Sequence, residues 1–410
     1  MTEAFAPPPR PAPLPPAATL ELPLAPADAD AVPDDLFAAA PAPVEAGAPA
    51  RPWLPDRALF TPDALAEPWG DRIRARLAAL GVPVEVLGAN RLVGLRGRTE
   101  RETYRVAKRT LSVVTAPAGQ LRLSPIPPSA DWQFHLAQGC PAHCQYCYLA
   151  GSLQGPPTVR VYANLPAVLG NLPGYVGRAT GRRAAEEWGA DAGCTSFEAS
   201  CYTDPLGIEH LTGSLAEAVT FFGTDDRMAR ARLRWTTKFS TPAAVAPLLA
   251  LPHAGRTRAR VSVNADAVAR RFEGGAAPVA GRLAGARALA EAGYPVGLVV
   301  APIIAVDGWR EHYAALLDDA RRALPPDLLP GGDLTVELIT HRFTAGSKRV
   351  LEGWYPNSAL DMDEAARDEK RNKFGGSKFV YPRPTMQELR AWFAGELKAR
   401  WPAARVLYWT

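Results

Sequence analysis

The sequence has little lysine, few cysteines and no long apolar run. Only seven of its 46 basic residues are Lys and the other 39 are Arg. Beside so much Ala, that bias reflects a GC-rich genome more than a function. The longest apolar stretch covers about residues 294–306, short of the roughly 20 residues a membrane-spanning helix needs. No membrane association is therefore expected. The opening MTEAFAPPPRP has neither a basic n-region nor an apolar h-region, so no signal peptide is expected and the expected compartment is the cytoplasm. There is no Walker lysine loop, GxGxxG fingerprint or HExxH helix. Nucleotide hydrolase, dinucleotide oxidoreductase and zincin readings thus lack support. Five cysteines is an odd number, which in a reducing compartment favours metal or catalytic use over a disulfide framework.

What is present is enough to build a core. Hydrophobic residues make up 47% of the 410 and charged residues 21%, which excludes collagen, coiled coil and wholesale disorder. The length suits two or three domains, or one large barrel with attachments. The prolines are unevenly placed. The first 50 residues hold 13 Pro and 16 Ala, with Arg10 against seven acidic residues. Residues 1–56 are therefore expected to form a disordered Pro/Ala-rich tail, because Pro blocks helix and sheet and little apolar mass offsets the ordering entropy. That segment's −6 leaves +10 on residues 51–410 out of a total of +4, a mildly basic body that fits an anionic partner.

Order is expected from about Leu59. Trp69, Ile73, Leu77 and Leu80 recur at helical spacing and Gly81 follows as a stop, which predicts a helix over 68–80 and then a strand over 82–87. Beyond Gly139, short apolar runs at 196–199, 233–237, 259–264, 295–303 and 334–339 alternate with amphipathic stretches at 213–222, 242–249, 279–291 and 309–323. This βαβα order predicts a parallel sheet, curled into a barrel or partial barrel. Glu198, Lys238, Asn264 and His341 would then line a site at the strand ends. After Thr344 the rhythm changes. The segment RDEKRNKFGGSKFVYPR (367–383) has six basic and two acidic residues around a Gly-Gly pair, and reads as a hairpin with a basic, aromatic tip. A helix over 386–400 and a strand over 405–409 end the chain.

The densest signal is GCPAHCQYCYL (139–149), in which Cys140, Cys144 and Cys147 have C-x3-C-x2-C spacing. Three thiolates on one short loop can hold three irons of a 4Fe–4S cluster. The fourth iron stays open to a chelating small molecule, as an enzyme needs if it is to pass one electron to a bound ligand. On the residues alone, a zinc site completed by His143 or Cys194 stays open. So do a cluster with a distant fourth Cys, and plain core thiols.

This loop resembles the signature of the radical S-adenosylmethionine (SAM) enzymes, and its longer context is similar to one branch, the spore photoproduct lyase family. The resemblance runs from about residue 59 to the C-terminus. It is carried by the cysteine loop, FEASCYTDPLGIEHLTGSL (197–215), WTTKF (235–239), RVSVNAD (260–266), AGYPVGLVVAPI (292–303), ELITHRFT (337–344) and GGSKFVY (375–381). It implies a partial (β/α)6 TIM-type barrel holding the cluster and SAM. Residues 57–130 would be an N-terminal α/β extension, 131–345 the barrel, and 346–410 a DNA-contacting hairpin and helix. The implied reaction uses a 5′-deoxyadenosyl radical to revert 5-thyminyl-5,6-dihydrothymine, the spore photoproduct, to two thymines. The implied partners are UV-damaged DNA and an electron donor such as flavodoxin or ferredoxin.

Residue by residue, the resemblance makes Cys201 a hydrogen donor to the substrate radical. Tyr146 and Tyr148 match the tyrosine pair that returns the hydrogen, with Tyr148 also beside SAM. Lys238 matches the partner of the SAM carboxylate, and Ser262 and Asn264 lie on the next strand. Thr203 and Asp204 stand where the family has Ser and Asp. The GGE tripeptide common elsewhere in the superfamily is absent, and Glu198 is its nearest substitute. Lys373 and Phe374 replace an Arg-Tyr pair; with Lys378 they form the expected DNA contact. Two further readings are carried: the same scaffold acting on another nucleic-acid substrate, and a zinc-containing nucleic-acid-binding protein without catalysis.

Overall fold

Runs rich in Val, Leu, Ile and Thr recur between helices from residue 57 onward, and they assemble into two principal sheets. The computed structural model describes residues 52–153, 155–178, 187–188, 193–329, 332–371 and 376–410. The expected tail lies, up to residue 51, outside the described residues.

The first sheet is built from β1 (Arg57–Phe60), β2 (Val84–Val86), β3 (Thr110–Val114), β6 (Ala137–Gln138) and β8 (Val159–Tyr162), in the order β2-β1-β3-β8-β6. The second contains β4 (Ser124–Ile126), β5 (Ala130–Phe134), β9 (Thr195–Ala199), β10 (Ala231–Thr237), β11 (Thr257–Val263), β13 (Val296–Ile303), β14 (Leu334–Thr340) and β17 (Arg405–Trp409). Its order is β17-β14-β13-β11-β10-β9-β5-β4. From β5 to β17 every neighbouring pair is parallel, and β4 runs antiparallel at the edge. The six strands from β5 to β14 make a partial (β/α)6 barrel, with β17 added beyond them.

The chain passes between these sheets more than once. β4 precedes residue 130 yet pairs with β5 in the barrel sheet, while β6 and β8 follow it and pair in the first sheet. The helices Val279–Glu291 and Trp309–Ala323 and the strand Arg405–Trp409 have the bounds their periodicity predicts. The run at 242–249 divides into a helix at Pro242–Val245 and a 3-10 turn at Ala246–Leu248. Pro247 explains the break, since it has no N–H and its ring crowds the preceding turn. Gly285 lets helix Val279–Glu291 sit directly on the loop after β10, where a Cβ would come within 1.6 Å of the Ser240 carbonyl oxygen.

The barrel interior carries charge where many barrels carry aliphatic layers. Arg234 pairs with Glu187 (2.6 Å), Glu198 (2.9 Å) and Glu337, and Arg260 pairs with Glu198 and Glu337 (2.9 Å). Tyr408 of β17 donates to Glu337 at 2.9 Å. All of these charges are buried. Such a network adds little net stability, but removing one member strands the others in a poor solvent for charge. It therefore forms a fixed floor beneath the strand C-termini. Among the described residues, no helix is long and apolar enough to cross a membrane.

Candidate active site

The cysteine loop follows the short strand β6, a few residues past the C-terminal end of β5, and is clamped from several sides. Gly139 opens it with φ +79, and a Cβ there would meet the Thr158 carbonyl at 2.1 Å, so only glycine fits. Its amide donates to the Tyr202 carbonyl at 2.8 Å, and the Thr203 hydroxyl donates to its carbonyl. The strand β7 (His143–Cys144) pairs with β12 (Glu273–Gly274). The buried Lys108 ammonium donates to the carbonyls of Cys140 and Ala142. Tyr104 and His143 Nδ1 share a hydrogen bond of 2.9 Å.

Burial pushes the Cys140 thiol up to about 12, and it raises Cys144 and Cys147 as well. Cys147 raises Cys140 and Cys144 further, and Cys140 also raises Cys144, so the thiols lie within range of one another's charge. Three thiols so placed, Cys144 buried and Cys140 and Cys147 part-buried, resist ionisation unless a metal compensates them, and this donor set fits an iron–sulfur cluster. A single zinc ion would draw its donors to within about 4 Å of each other. A zinc site on these three thiols would need a fourth donor at that range. His143 is engaged by Tyr104, and Cys194 precedes β9 at the opposite end of the barrel. Neither joins the three thiols.

Cys201 follows β9 through Ser200, which is held at φ 57. Ser200 supports that turn with its amide on the Phe134 carbonyl (2.8 Å) and its Oγ accepting from the Leu136 amide (2.9 Å). The Cys201 thiol donates to Gln133 Oε1 at 2.6 Å. Burial, with the charge of Glu198, pushes it up to about 12, so it stays S–H at neutral pH. A thiol in that form can give a hydrogen atom. The two tyrosines diverge. Tyr148 is exposed and donates to the Cys201 carbonyl, whereas Tyr146 is part-buried and donates to Glu273.

Lys238 stands just past β10. Its ammonium donates to Glu273 (2.9 Å) and to the Ala301 carbonyl (3.1 Å). Asp204 spends its two oxygens on the amides of Lys238 (2.6 Å) and Gly207 (3.2 Å), and burial pushes it up to about 6. Asn264 is fully buried between the Pro302 carbonyl (2.8 Å), the Tyr313 hydroxyl (2.8 Å) and the Ala265 amide (3.0 Å). Ser262 is also buried, and its carbonyl accepts from Arg282 at 3.1 Å. Among the residues expected to bind a cofactor at this rim, Lys238 brings a charged, partly exposed head. Thr203, Asp204 and Asn264 hold backbone. Glu198 belongs to the ionic floor. Glu273 was not expected from the sequence at all.

His341, also expected at the rim, is buried. Burial, and secondarily the Arg367 charge, pushes its imidazole down to about 3. A depressed histidine is neutral when folded and protonated when unfolded below its ordinary 6.5. Its stabilising contribution is therefore complete above pH 6.5 and falls as pH drops toward 3, by about 1.4 kcal/mol per unit. Between pH 7 and pH 5 that amounts to about 2 kcal/mol. We expect His341→Gln to lose less stability than the parent over this interval in denaturant titrations. Equal losses would place the acid sensitivity elsewhere.

The hairpin pairs β15 (Asp368–Arg371) with β16 (Ser377–Val380). Lys373 and Phe374 lie outside the described residues. Lys378 is described and stands directly opposite Lys370. Burial, with Arg342 and Lys370, pushes the Lys378 ammonium down. Like charges so placed repel, and an anion between them relieves the repulsion. Phe379 roots the hairpin by exchanging backbone bonds with Phe343 (2.7 and 3.2 Å) while the two rings stack at 5.4 Å.

The family model described as spore photoproduct lyase matches residues 53–410. The chain is 38% identical to the spore photoproduct lyase of a Geobacillus species over 361 residues, 88% of this chain and 100% of that one. It is 36% identical to that of Bacillus subtilis over 88% of this chain and 99% of the relative. A solved structure of a spore photoproduct lyase mutant with bound AdoMet and dinucleoside spore photoproduct matches with a TM-score of 0.78. That match is 38% identical and covers 88% of this chain and 100% of the other.

Proposed function

Because the chain belongs to the spore photoproduct lyase family of radical SAM enzymes, we propose that it reverts 5-thyminyl-5,6-dihydrothymine in DNA to two thymines. The observation that carries this reading is the pairing of two thiol sites. A loop of three thiols follows β5, and a single protonated thiol, Cys201, follows the adjacent strand β9. When bound, a 4Fe–4S cluster on Cys140, Cys144 and Cys147 together with SAM supplies the 5′-deoxyadenosyl radical that opens the lesion.

This chain's own residues do the rest. Lys238 offers its ammonium to the SAM carboxylate, and Asp204 fixes the Lys238 backbone. Cys201, held by Gln133, gives its hydrogen to the thymine radical left when the methylene bridge breaks. The S–H bond breaks, a C–H bond forms, and a thiyl remains. Tyr148, whose hydroxyl donates to the Cys201 carbonyl, would give its O–H hydrogen to that thiyl, with Tyr146 next in the relay. The tyrosyl radical so left would regain hydrogen from the methyl group of 5′-deoxyadenosine, so that SAM need not be spent on every lesion. Lys378, with Lys373 and Phe374 at the tip, contacts the DNA backbone and the opened duplex.

The test is anaerobic turnover of lesion-bearing dinucleotide by the reduced, cluster-loaded protein with SAM. We expect released thymidylyl-thymidine. Formation of 5′-deoxyadenosine without any thymine product would point to another nucleic-acid substrate. In the same series, Lys378→Ala should weaken binding of a lesion duplex and reduce the log–log salt slope by about one. An unchanged slope would remove the hairpin from the DNA contact.

A further inference from the structure

Glu273 occupies a place that the proposed chemistry leaves unexplained. It lies after the helix Asp266–Phe272, and its side chain is fully shielded from solvent. One carboxylate oxygen, Oε1, accepts from the Tyr146 hydroxyl, from the Lys238 ammonium at 2.9 Å and from Asn264 Nδ2 at 3.4 Å. The other oxygen faces Arg282 at 2.5 Å. Arg282 is itself buried and anchored to the carbonyls of Ala277 (2.6 Å) and Ser262 (3.1 Å). The Glu273 backbone pairs with Cys144.

Glu273 thus ties the cysteine loop, through Tyr146 and the Cys144 backbone, and the lysine at the end of β10 to Asn264 just past β11 and to Arg282. The Lys238 ammonium also lies 5.6 Å from the Tyr146 ring centre, so phenol and ammonium are held as a unit. A buried carboxylate needs such partners, and hydrogen bonds to a charged group are strong and directional. Its four partners, Tyr146, Lys238, Asn264 and Arg282, come from four separate segments, so the geometry is set by tertiary structure and not by local turn chemistry.

We infer that Glu273 is a positioning residue for the radical reaction, fixing the Tyr146 hydroxyl and the Lys238 ammonium at a set distance from each other and from the cysteine loop. The inference rests on the proposed part of Tyr146 in hydrogen return. The Cys201 thiol bonds to Gln133 and is not among the partners of Glu273. The effect of Glu273 passes through the phenol it orients.

The experiment compares Glu273→Gln, Tyr146→Phe and the double variant by two readouts. The first is the ultraviolet difference spectrum of the purified chain before cluster loading. Loss of a charge-assisted bond should shift a tyrosine band to the blue in Glu273→Gln, and the shift should vanish on the Tyr146→Phe background. The second is SAM consumed per lesion restored by the loaded enzyme. Losing a hydrogen bond to a charged group predicts a rise of roughly tenfold in each single variant. The double variant should be no worse than either, because both act through one phenol.

If Tyr146→Phe raises the ratio and Glu273→Gln does not, Glu273 is a structural ion and the inference is overturned. If Tyr146→Phe itself leaves the ratio unchanged, the part given to Tyr146 fails, and the inference with it. Glu273→Gln leaves the buried Arg282 and the partly exposed Lys238 without their carboxylate. Should that variant fail to fold, Glu273→Gln combined with Arg282→Met removes the pair together, and the same two readouts apply.

Discussion

Replacement of any one of Cys140, Cys144 and Cys147 by Ala is expected to abolish formation of 5′-deoxyadenosine from SAM. The loop has no spare ligand. His143, the nearest alternative donor in sequence, is held by Tyr104, and Cys194 lies at the far end of the parallel strands. The loss should therefore be complete and not graded, and the visible absorption and iron content of the anaerobically prepared protein should fall with it. Folding should survive. The loop backbone is held by Lys108, by the pairing of β7 with β12 and by Gly139 against Thr158, and none of these contacts uses a thiol. Cys194→Ser is the control, since its thiol is buried away from the loop and should leave the cleavage rate unchanged. A loop variant that made 5′-deoxyadenosine at the parental rate would remove the cluster from these three residues.

The same contacts explain why some of the site is legible in the sequence and some is not. The three loop thiols are legible from their C-x3-C-x2-C spacing, whereas Cys201 stands out only through the resemblance of FEASCYTD to the family. The long helices are legible because apolar residues repeat at their period, and Val279–Glu291 ends where its pattern ends. Strand β1 is only four residues long and carries no alternation to read, and β3 and β8 belong to a sheet whose strands come from both sides of residue 130. Tyr146 and Tyr148 are two residues apart, yet one bonds to Cys201 and the other to Glu273. That divergence follows from where the loop is pinned and not from composition. Glu273 had no signal, because its partner Tyr146 is 127 residues away and Lys238 is 35 away. Asn264 is legible as a polar residue at a strand end and Asp204 only through the family resemblance, and neither reading carries its structural role. Burial turns them toward backbone.

The Cys201→Ala variant is expected to keep its iron content and its SAM binding, and still to break the lesion bridge, but to lose the clean product. Nothing upstream uses the thiol. Its contacts are Gln133 through Sγ and Tyr148 through the backbone carbonyl, and alanine keeps the second. What changes is the fate of the thymine radical. In the parent, a thiol held S–H by burial waits at a fixed place, and a positioned donor owes its advantage to proximity. Without it the radical must take hydrogen from a poorer donor or trap a reductant such as dithionite, so a slower turnover and an adduct should appear together. Serine at this position should not rescue, because its O–H bond is much stronger than S–H and resists hydrogen transfer to carbon. Gln133→Ala should give a milder version, with the thiol present but no longer aimed. The measurement is the product spectrum by mass spectrometry with dithionite as reductant. Two restored thymines from Cys201→Ala, at the parental rate and free of adducts, would show that Cys201 is a packed thiol and that hydrogen reaches the substrate by another route.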